Sequence, residues 1–308
     1  MPIQSQSNKK CRRSILFWVF LLSAVPLTVL IIGYAAGYTF DLKTKKIKST
    51  ATLSIETTPK NAQIFLDQNE EAGTPFLKNN INPGTYNISI KKDNYHSWQK
   101  KIFLPEGKST IFPDVILFEK DTTPALVEKT DHRSLRENFL ALPADYYDNY
   151  QKNSFDTPQD LKYLPGHPAL LIDPKKCNAY LINSLDKFDQ KNTINNCLID
   201  AVWNENRYLL YITKTELWVY DQEENTFTLL TRQSTPFISA VWDLQGDYIY
   251  FSNQNGIYAL ELDGRDHKQT WQLTTMPQAS QLTVFDSIPN HLFFAVQEKQ
   301  YDLELYQK

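Results

Sequence analysis

The chain has 308 residues, which is enough for about two domains. Only nine residues are glycine, and beyond the first forty residues no two glycines lie closer than eight positions. Neither the G-x-G-x-x-G turn nor the G-x-x-x-x-G-K-[ST] loop is therefore present, which excludes Rossmann enzymes, P-loop NTPases and kinase glycine loops. Aromatic residues make up 13% of the chain. Together with many β-branched residues they favour strands and predict a mostly β protein.

Charge is distributed unevenly along the chain. Residues 1–50 carry eight Lys or Arg and one acidic residue, a net charge of +7, so the overall charge of −3 leaves −10 for residues 51–308. Nucleic-acid binding needs Lys and Arg gathered on one face to neutralise phosphates. We therefore expect no nucleic-acid partner.

Residues 14–40 form the first predicted element, because these 27 positions contain no charged residue. About 20 apolar residues suffice to cross a bilayer as a helix, so we predict a transmembrane helix with the lipid bilayer as partner. A cleaved signal peptide is the competing interpretation, but its apolar region is usually about 7–15 residues. A short tail is retained inside more easily than a large domain, which predicts a single-pass protein of the cell membrane with a basic cytoplasmic tail at residues 1–13. Residues 41–50 form a Lys-rich spacer, and the body is extracytoplasmic.

Two glycines within the predicted helix have the spacing of a helix-contact motif. Gly33 and Gly37 form G-x-x-x-G, which allows close approach of two helices in lipid and predicts a weak homodimer. The alternative is that glycine is simply common near the ends of such helices.

Residues 51–120 alternate apolar and polar side chains in short stretches separated by turn residues, which predicts a small β-sandwich. The turns contain Pro, Gly, Asn and Asp, as in Asn82-Pro83-Gly84. The order of Thr58-Pro59, Gly73-Thr74-Pro75, Asn82-Pro83-Gly84-x-Tyr86 and Asp93-Asn94-Tyr95-x-x-Trp98 resembles a PEGA domain. That resemblance implies an envelope protein that binds or scaffolds and has no known catalytic set.

Three aromatic residues of this segment allow two interpretations. Tyr86, Tyr95 and Trp98 are either a platform for sugar rings or core and turn anchors of the sandwich, and we favour the second.

Residues 121–160 have little apolar periodicity and are expected to be a linker. Ser134 precedes Glu137 by three positions, a spacing typical of a capping box, so a short helix over Ser134–Leu142 is predicted within this linker.

A weak repeat runs through residues 161–308. Ala201-Val-Trp203 recurs as Ala240-Val-Trp242, 39 residues later, and each copy continues into a second strand and a Leu-Thr pair. A third copy begins near Leu282, and a shorter one covers Pro168–Ile182. A period near 40 with about four strands is typical of β-propeller blades. The pattern resembles TolB-like or WD40-like repeats.

The predicted number of blades is at or below the minimum for a closed propeller, because propellers have about four to eight blades and these residues supply three or four. A strand from residues 121–165 would complete the last blade, and an open arrangement is the alternative. The expected fold is therefore mostly β: an N-terminal transmembrane helix, a small PEGA-like β-sandwich and a partial or small β-propeller-like domain.

Catalytic signals are few. The five His have no H-x-x-x-H or H-E-x-x-H spacing, and no G-x-S-x-G elbow exists, so we expect no catalytic residue, no metal and no cofactor. Asp243, Asp263 and Asp286 fall in predicted blade turns, where Asp caps its own backbone.

Two cysteines lie in the part predicted to be outside the membrane. Cys177 and Cys197 are candidates for a disulfide, and two free buried thiols are the alternative.

Two classes of function follow. The first is a membrane-anchored binding or scaffolding protein of the cell envelope, which is not an enzyme and whose partner is an envelope protein or glycan. The second is an envelope hydrolase or an accessory subunit of a glycan- or peptide-processing enzyme.

Overall fold

The computed structural model describes residues 7–35, 37–41, 46–127, 140–141, 162–165, 168–184, 189–194, 196–204 and 207–307. The chain divides into two compact units. The sandwich unit comprises residues 1–90 and 99–115, and the blade unit comprises residues 91–98 and 116–308. The unit boundary therefore differs from the predicted domain limit at residue 120, since residues 91–98 and 116–120 group with the blades.

One long helix begins the sandwich unit. Helix α1 covers Ser7–Ala35 and includes Pro26. Its window Phe17–Tyr34 has a mean hydropathy of 2.1, and none of it is buried in the protein, so it is long and apolar enough to cross a membrane. The predicted span of 14–40 was too long at its end. Tyr38–Asp41 is strand β1, which pairs antiparallel with strand β2, Lys46–Ser49, so the predicted spacer includes a hairpin strand.

Two sheets build the sandwich, in the orders β6-β3-β9 and β5-β4-β7-β8. Alternate residues of β3 and of β8 are buried, as expected for strands with one face in a core. Both sheets contribute to the core, where Leu53, Ile64 and Ile88 are at most 1% exposed. The strands are β3 Ala51–Thr58, β4 Gln63–Leu66, β5 Asn69–Gly73, β6 Phe76–Ile81, β7 Gly84–Lys91, β8 Trp98–Leu104 and β9 Ser109–Ile116.

The blade unit contains four antiparallel sheets within the described residues. Blade 1 consists of β11 Leu140–Ala141, β12 Lys162–Leu164, β13 Ala169–Asp173, β14 Asn178–Ser184 and β15 Asp189–Ile194. Blade 2 consists of β16 Asp200–Asn204, β17 Tyr208–Ile212, β18 Glu216–Asp221 and β19 Thr226–Arg232. Blade 3 consists of β20 Phe237–Trp242, β21 Tyr248–Asn253, β22 Gly256–Glu261 and β23 Thr270–Thr274.

Blade 4 takes its outermost strand from a distant part of the chain. Its order is β10-β26-β25-β24, and β10 comes from the predicted linker, more than 150 positions before the other three strands. The register pairs Ala125 with Asp302 and Leu126 with Tyr301. A strand from residues 121–165 therefore completes the last blade. The strands are β10 Ala125–Leu126, β24 Ser280–Phe285, β25 Ile288–Val296 and β26 Lys299–Glu304.

The predicted capped helix of the linker is contradicted at its end. Leu140–Ala141 forms strand β11, which pairs with β12 in blade 1. The rest of the predicted helix lies outside the described residues. Pairing with an edge strand satisfies the backbone groups of this short segment without a helix.

Buried apolar side chains connect neighbouring blades. One cluster joins blades 1 and 2 and includes Leu170, Leu181, Leu209 and Tyr220. A second joins blades 2 and 3 and includes Leu210, Leu217, Phe237 and Ile249. Blade 2 therefore contributes to both clusters. Strand β13 of blade 1 and strand β21 of blade 3 are buried at every position.

Candidate functional site

The aromatic residues weighed as a sugar platform are mostly buried. Trp98 is 0% exposed and Tyr95 is 7% exposed, which supports their interpretation as anchors. Tyr86 is half-buried, and its hydroxyl donates to the carbonyl of Asn82 at 2.8 Å, which closes the turn before β7. These three residues therefore do not form a shared exposed surface.

Two glycines were predicted to contact a second helix. Gly33 lies within α1, but Gly37 lies beyond its last residue with a φ of +83°. Glycine adopts this left-handed conformation without the steric cost that other residues incur, so it ends the helix and turns the chain into β1. The two glycines therefore do not share one helix face.

A disulfide joins Cys177 and Cys197, with an S–S distance of 1.96 Å. Cys177 ends the turn between β13 and β14, and Cys197 lies just before β16. The bond therefore links blade 1 to the start of blade 2.

The residues considered for catalysis are scattered. His96 lies in residues 91–98, His267 pairs with its neighbour Asp266 in an exposed loop, and His291 of β25 contacts Asp302 of β26 at 2.7 Å. His132 and His167 lie outside the described residues. Within the described ranges, no three His, Cys, Asp or Glu are grouped as metal ligands.

Two of the three aspartates predicted to cap turns, Asp243 and Asp263, accept hydrogen bonds from nearby backbone N–H groups. The Asp243 carboxylate accepts from the N–H of Gln245 at 3.3 Å and of Tyr248 at 2.9 Å. Asp263 accepts from the N–H of Arg265 at 2.9 Å. Asp286 lies in the turn between β24 and β25.

One concave surface lies between blades 2 and 3, and we call it the blade 2–3 groove. It has a volume of about 590 Å³. Four of its nine lining residues, Arg207, Glu223, Gln245 and Gly246, lie in the turns after β16, β18 and β20, because the repeat brings the same ends of adjacent blades together. Its lining residues are Asn204, Arg207, Tyr208, Val219, Glu223, Trp242, Gln245, Gly246 and Leu262.

Arg207 is the central charged residue of this groove. Its guanidinium lies 4.7 Å from the centre of the Tyr208 ring and contacts Asp221 at 3.2 Å and Glu223 at 2.8 Å. The hydrogen bond to Asp221 raises the pKa of Arg207 further. One cation held by two carboxylates and an aromatic ring is a rigid group, and it leaves this end of the groove without net positive charge.

Another part of the groove lining combines aromatic rings with amides. The rings of Trp242 and Tyr208 lie 6.4 Å apart at 49°, and the Trp242 indole donates to the carbonyl of Val202 at 3.4 Å. Gly246 has a φ of +82°, and a Cβ there would lie 3.1 Å from the side-chain nitrogen of Asn204. Glycine therefore keeps the Asn204 amide at the groove wall.

Asp243 lies next to the groove and adds a titratable group beneath it. It is 6% exposed, and burial raises its pKa from 3.8 to about 6, an effect that the neighbouring Asp247 increases and the N–H donors of the turn oppose. The folded state therefore binds a proton more readily than the unfolded state.

Protonation of Asp243 is expected to stabilise the blade unit as pH falls from 7 towards 4.5, and Asp243→Asn should remove this contribution. A folded pKa above the unfolded value means that stability is gained as pH drops through about 6. One pKa unit corresponds to about 1.4 kcal/mol, so the pH-dependent gain should be about 2 kcal/mol smaller in the variant. Denaturant unfolding of the parent chain and of Asp243→Asn, at pH 7 and at pH 4.5, measures this gain in stability. Asp263→Asn, in an exposed turn, should leave the gain unchanged, and equal pH dependence of Asp243→Asn and the parent chain would contradict the prediction.

A second groove, of about 710 Å³, lies along the outer edge of blade 3. It is lined by residues 120–124, by residues 272–277 and by His96. Burial first, and then the nearby Lys120, lower the pKa of His96, so its imidazole is neutral near pH 7. The walls offer threonine hydroxyls, the Gln272 amide and the charged groups of Lys120 and Asp121.

Sequence reasoning missed a buried polar relay across three blades. Asp200 accepts from the Ser239 hydroxyl at 2.8 Å and from the Ala240 N–H at 3.0 Å, and the Ser239 hydroxyl accepts from the Leu282 N–H at 3.2 Å. Asp200 and Ser239 each directly precede Ala-Val-Trp in the repeat. That shared position was the available signal, although the repeat alone gives no contact between copies.

Comparison with protein families assigns the N-terminal β segment. Residues 50–113 match the PEGA domain family. The resemblance inferred from the turn and strand residues is therefore confirmed over this segment. A search of the curated proteins finds no match to the chain.

Three solved structures resemble part of the chain. They are the C-terminal WD40 domain of Sif2 (10% identity, TM-score 0.36), the Mitotic Checkpoint Complex (8%, 0.37) and the β-propeller domain of Myceliophteria thermophila Cps50 (Swd1) (13%, 0.33). The alignments cover 46%, 49% and 42% of this chain. The chain spans 43%, 47% and 46% of those structures, which is less than half of each.

Proposed function

We propose that the protein is a membrane-anchored binding protein of the cell envelope, with its β units outside the membrane. The observation that supports anchoring is helix α1, whose apolar window Phe17–Tyr34 is not buried by any part of the chain that the structure describes. Eighteen such residues span about 27 Å at about 1.5 Å per residue, close to the thickness of a bilayer core. The disulfide between Cys177 and Cys197 supports an oxidising location for the blades.

Protease treatment of intact spheroplasts and of lysed spheroplasts tests this topology. We expect the blade and sandwich units to be digested from outside in intact spheroplasts, while an epitope placed at the N-terminus stays protected until the membrane is opened. Protection of the units and digestion of the N-terminal epitope would overturn the orientation.

We further propose that the blade 2–3 groove binds a neutral glycan of the envelope. Tyr208 and Trp242 supply aromatic surface, and Asn204 and Gln245 supply amide donors and acceptors that suit hydroxyl groups. Arg207 is already paired with Asp221 and Glu223, so the groove does not favour an anionic ligand. The Glu223 carboxylate of the lining is paired with Arg207, and the Asp243 carboxylate accepts hydrogen bonds from its own turn, which favours binding over catalysis.

Tyr208→Leu is expected to weaken binding of the full chain to purified envelope glycan about tenfold, because it removes the aromatic ring and keeps apolar packing. A tenfold change is about 1.4 kcal/mol, within the range for an aromatic binding residue. Pull-down with glycan in detergent measures it. Phe103→Ala, an exposed aromatic change in β8, is the matched control and should bind as the parent chain does.

Two outcomes would contradict the glycan proposal, and a third would contradict a purely binding function. Equal glycan binding by Tyr208→Leu and the parent chain would remove the groove from the interaction. Loss of binding to an envelope protein, with glycan binding unchanged, would assign the groove to a protein partner. Hydrolysis of ester, peptide or glycan substrates by the parent chain would favour the enzyme class.

A further inference from the structure

The hairpin of β1 and β2 has two chemically different faces. Its register places Phe40 opposite Ile47 and Tyr38 opposite Ser49. Side chains alternate along a strand, so Tyr38 and Ile47 occupy positions of one face, while Lys48 occupies a position of the other. Tyr38 is 50% exposed and Ile47 is 71% exposed, so the sandwich unit leaves these two apolar side chains uncovered.

The position of this hairpin relative to α1 is fixed by hydrogen bonds. Tyr38 follows the last residue of α1 by three positions. The Gly37 N–H donates to the Tyr34 carbonyl at 3.1 Å, and the Gly37 carbonyl accepts from both the N–H and the hydroxyl of Thr50 at 2.7 Å. Thr50 is 6% exposed and lies between β2 and the sandwich core. The hairpin is therefore held beside the end of the apolar helix.

We propose that this hairpin lies in the interfacial layer of the bilayer, with its apolar face against lipid and Lys48 near headgroup phosphates. The inference rests on the membrane anchoring proposed above. If Phe17–Tyr34 fills the bilayer core, Tyr38 reaches the level of the headgroups, where Tyr side chains are favoured. An amphipathic element lies in this layer with its apolar face buried, and nearby lysines are attracted to anionic lipid.

Fluorescence quenching in vesicles tests the depth of the hairpin. The full chain, with Cys11→Ser and the disulfide intact, is labelled with an environment-sensitive fluorophore at Ile47→Cys and reconstituted into vesicles of phosphatidylglycerol and phosphatidylcholine. Nitroxide-labelled lipids then act as quenchers. We expect most of the fluorescence to be lost with a nitroxide near the headgroup.

Two reference positions separate failure of this inference from failure of anchoring. A label at Leu22→Cys in α1 should be quenched by a nitroxide in the bilayer core, and a label at Leu77→Cys, 66% exposed in β6, should not be quenched. An unquenched Leu22 position would overturn anchoring itself. A quenched Leu22 position with an unquenched Ile47 position would overturn the hairpin proposal alone.

A charged variant provides an independent readout. With the label at Tyr38→Cys, the added change Ile47→Glu places a carboxylate on the apolar face and should reduce headgroup quenching by at least half. The change Ile47→Leu should preserve quenching. Equal quenching in Ile47→Glu and Ile47→Leu would show that this face does not contact lipid, and would overturn the proposal.

Discussion

Replacement of Asp200 by alanine is expected to reduce the free energy of unfolding of the blade unit by about 2–6 kcal/mol, because two buried donors each lose their acceptor at a cost of about 1–3 kcal/mol. Asp200 is 1% exposed, and its carboxylate accepts from the Ser239 hydroxyl and the Ala240 N–H. The variant leaves both donors buried without that acceptor. The effect should exceed that of an apolar truncation of equal size, because a buried donor without an acceptor carries its full desolvation cost.

Denaturant unfolding followed by tryptophan fluorescence measures this loss, since Trp203 and Trp242 lie in the two blades that Asp200 connects. Asp200→Asn keeps one acceptor oxygen, so its loss in free energy of unfolding should be less than half of that caused by Asp200→Ala. Asp286→Ala, at an exposed turn of blade 4, should change stability by less than about 0.5 kcal/mol. An Asp200→Ala chain as stable as the Asp286→Ala chain would show that the relay does not hold the blades together.

Trp98→Ala should destabilise the blade unit by about 3–5 kcal/mol, the range for truncating a buried large aromatic side chain. Trp98 is fully buried, and its indole N–H donates to the Glu261 carboxylate of β22 at 2.8 Å. Alanine therefore leaves a cavity and removes a donor from a carboxylate that is itself 4% exposed.

Trp98→Phe separates the two contributions, because phenylalanine fills most of the volume but has no N–H. We expect it to lose about 1–3 kcal/mol, the cost of a buried polar group that has lost its partner. Thermal unfolding monitored by circular dichroism distinguishes the two variants. Phe103→Ala at an exposed position serves as the control for aromatic loss. Equal midpoints for Trp98→Phe and the parent chain would show that the bond to Glu261 contributes nothing.

The contacts made by the residues near Trp98 indicate why a substitution at this position should destabilise the whole of blade 3. Phe118 packs edge-on against Tyr248 with 5.4 Å between ring centres, and the Tyr248 hydroxyl accepts from the Ile116 N–H at 3.1 Å. The Trp271 indole donates to the Ser97 carbonyl at 3.3 Å. Residues 91–98 and 116–120 are thereby joined to three strands of this blade.

Local patterns predicted the β elements well. The alternation around Leu53, Ile64 and Ile88 identified strands whose buried positions agree with the structure, because strand periodicity is a local property. The repeat near Trp203 and Trp242 identified blades for the same reason. The end of α1 was placed too far along the chain, since hydropathy does not distinguish uncharged strand residues such as Tyr38 from helical ones.

The contacts that define the candidate site join residues far apart in the sequence. Local sequence patterns could therefore not predict them. Arg207 and Trp242 meet in one groove only because blades 2 and 3 pack side by side. Strand β10 pairs with β26 across more than 170 positions, and no local propensity of Ala125–Leu126 specifies that partner.

The sequence by itself determined an apolar helix, a PEGA-like set of strands and a repeated blade pattern, because composition, turn residues and periodicity act over short distances. The few glycines excluded phosphate-binding loops from the outset, and the structure uses Gly37 and Gly246 at positions of positive φ. Only the tertiary structure decided which strand completes blade 4, how Asp200 reaches Ser239, and where an aromatic groove forms. Those features depend on side chains far apart in the chain, which are brought together when apolar surfaces of neighbouring blades are buried.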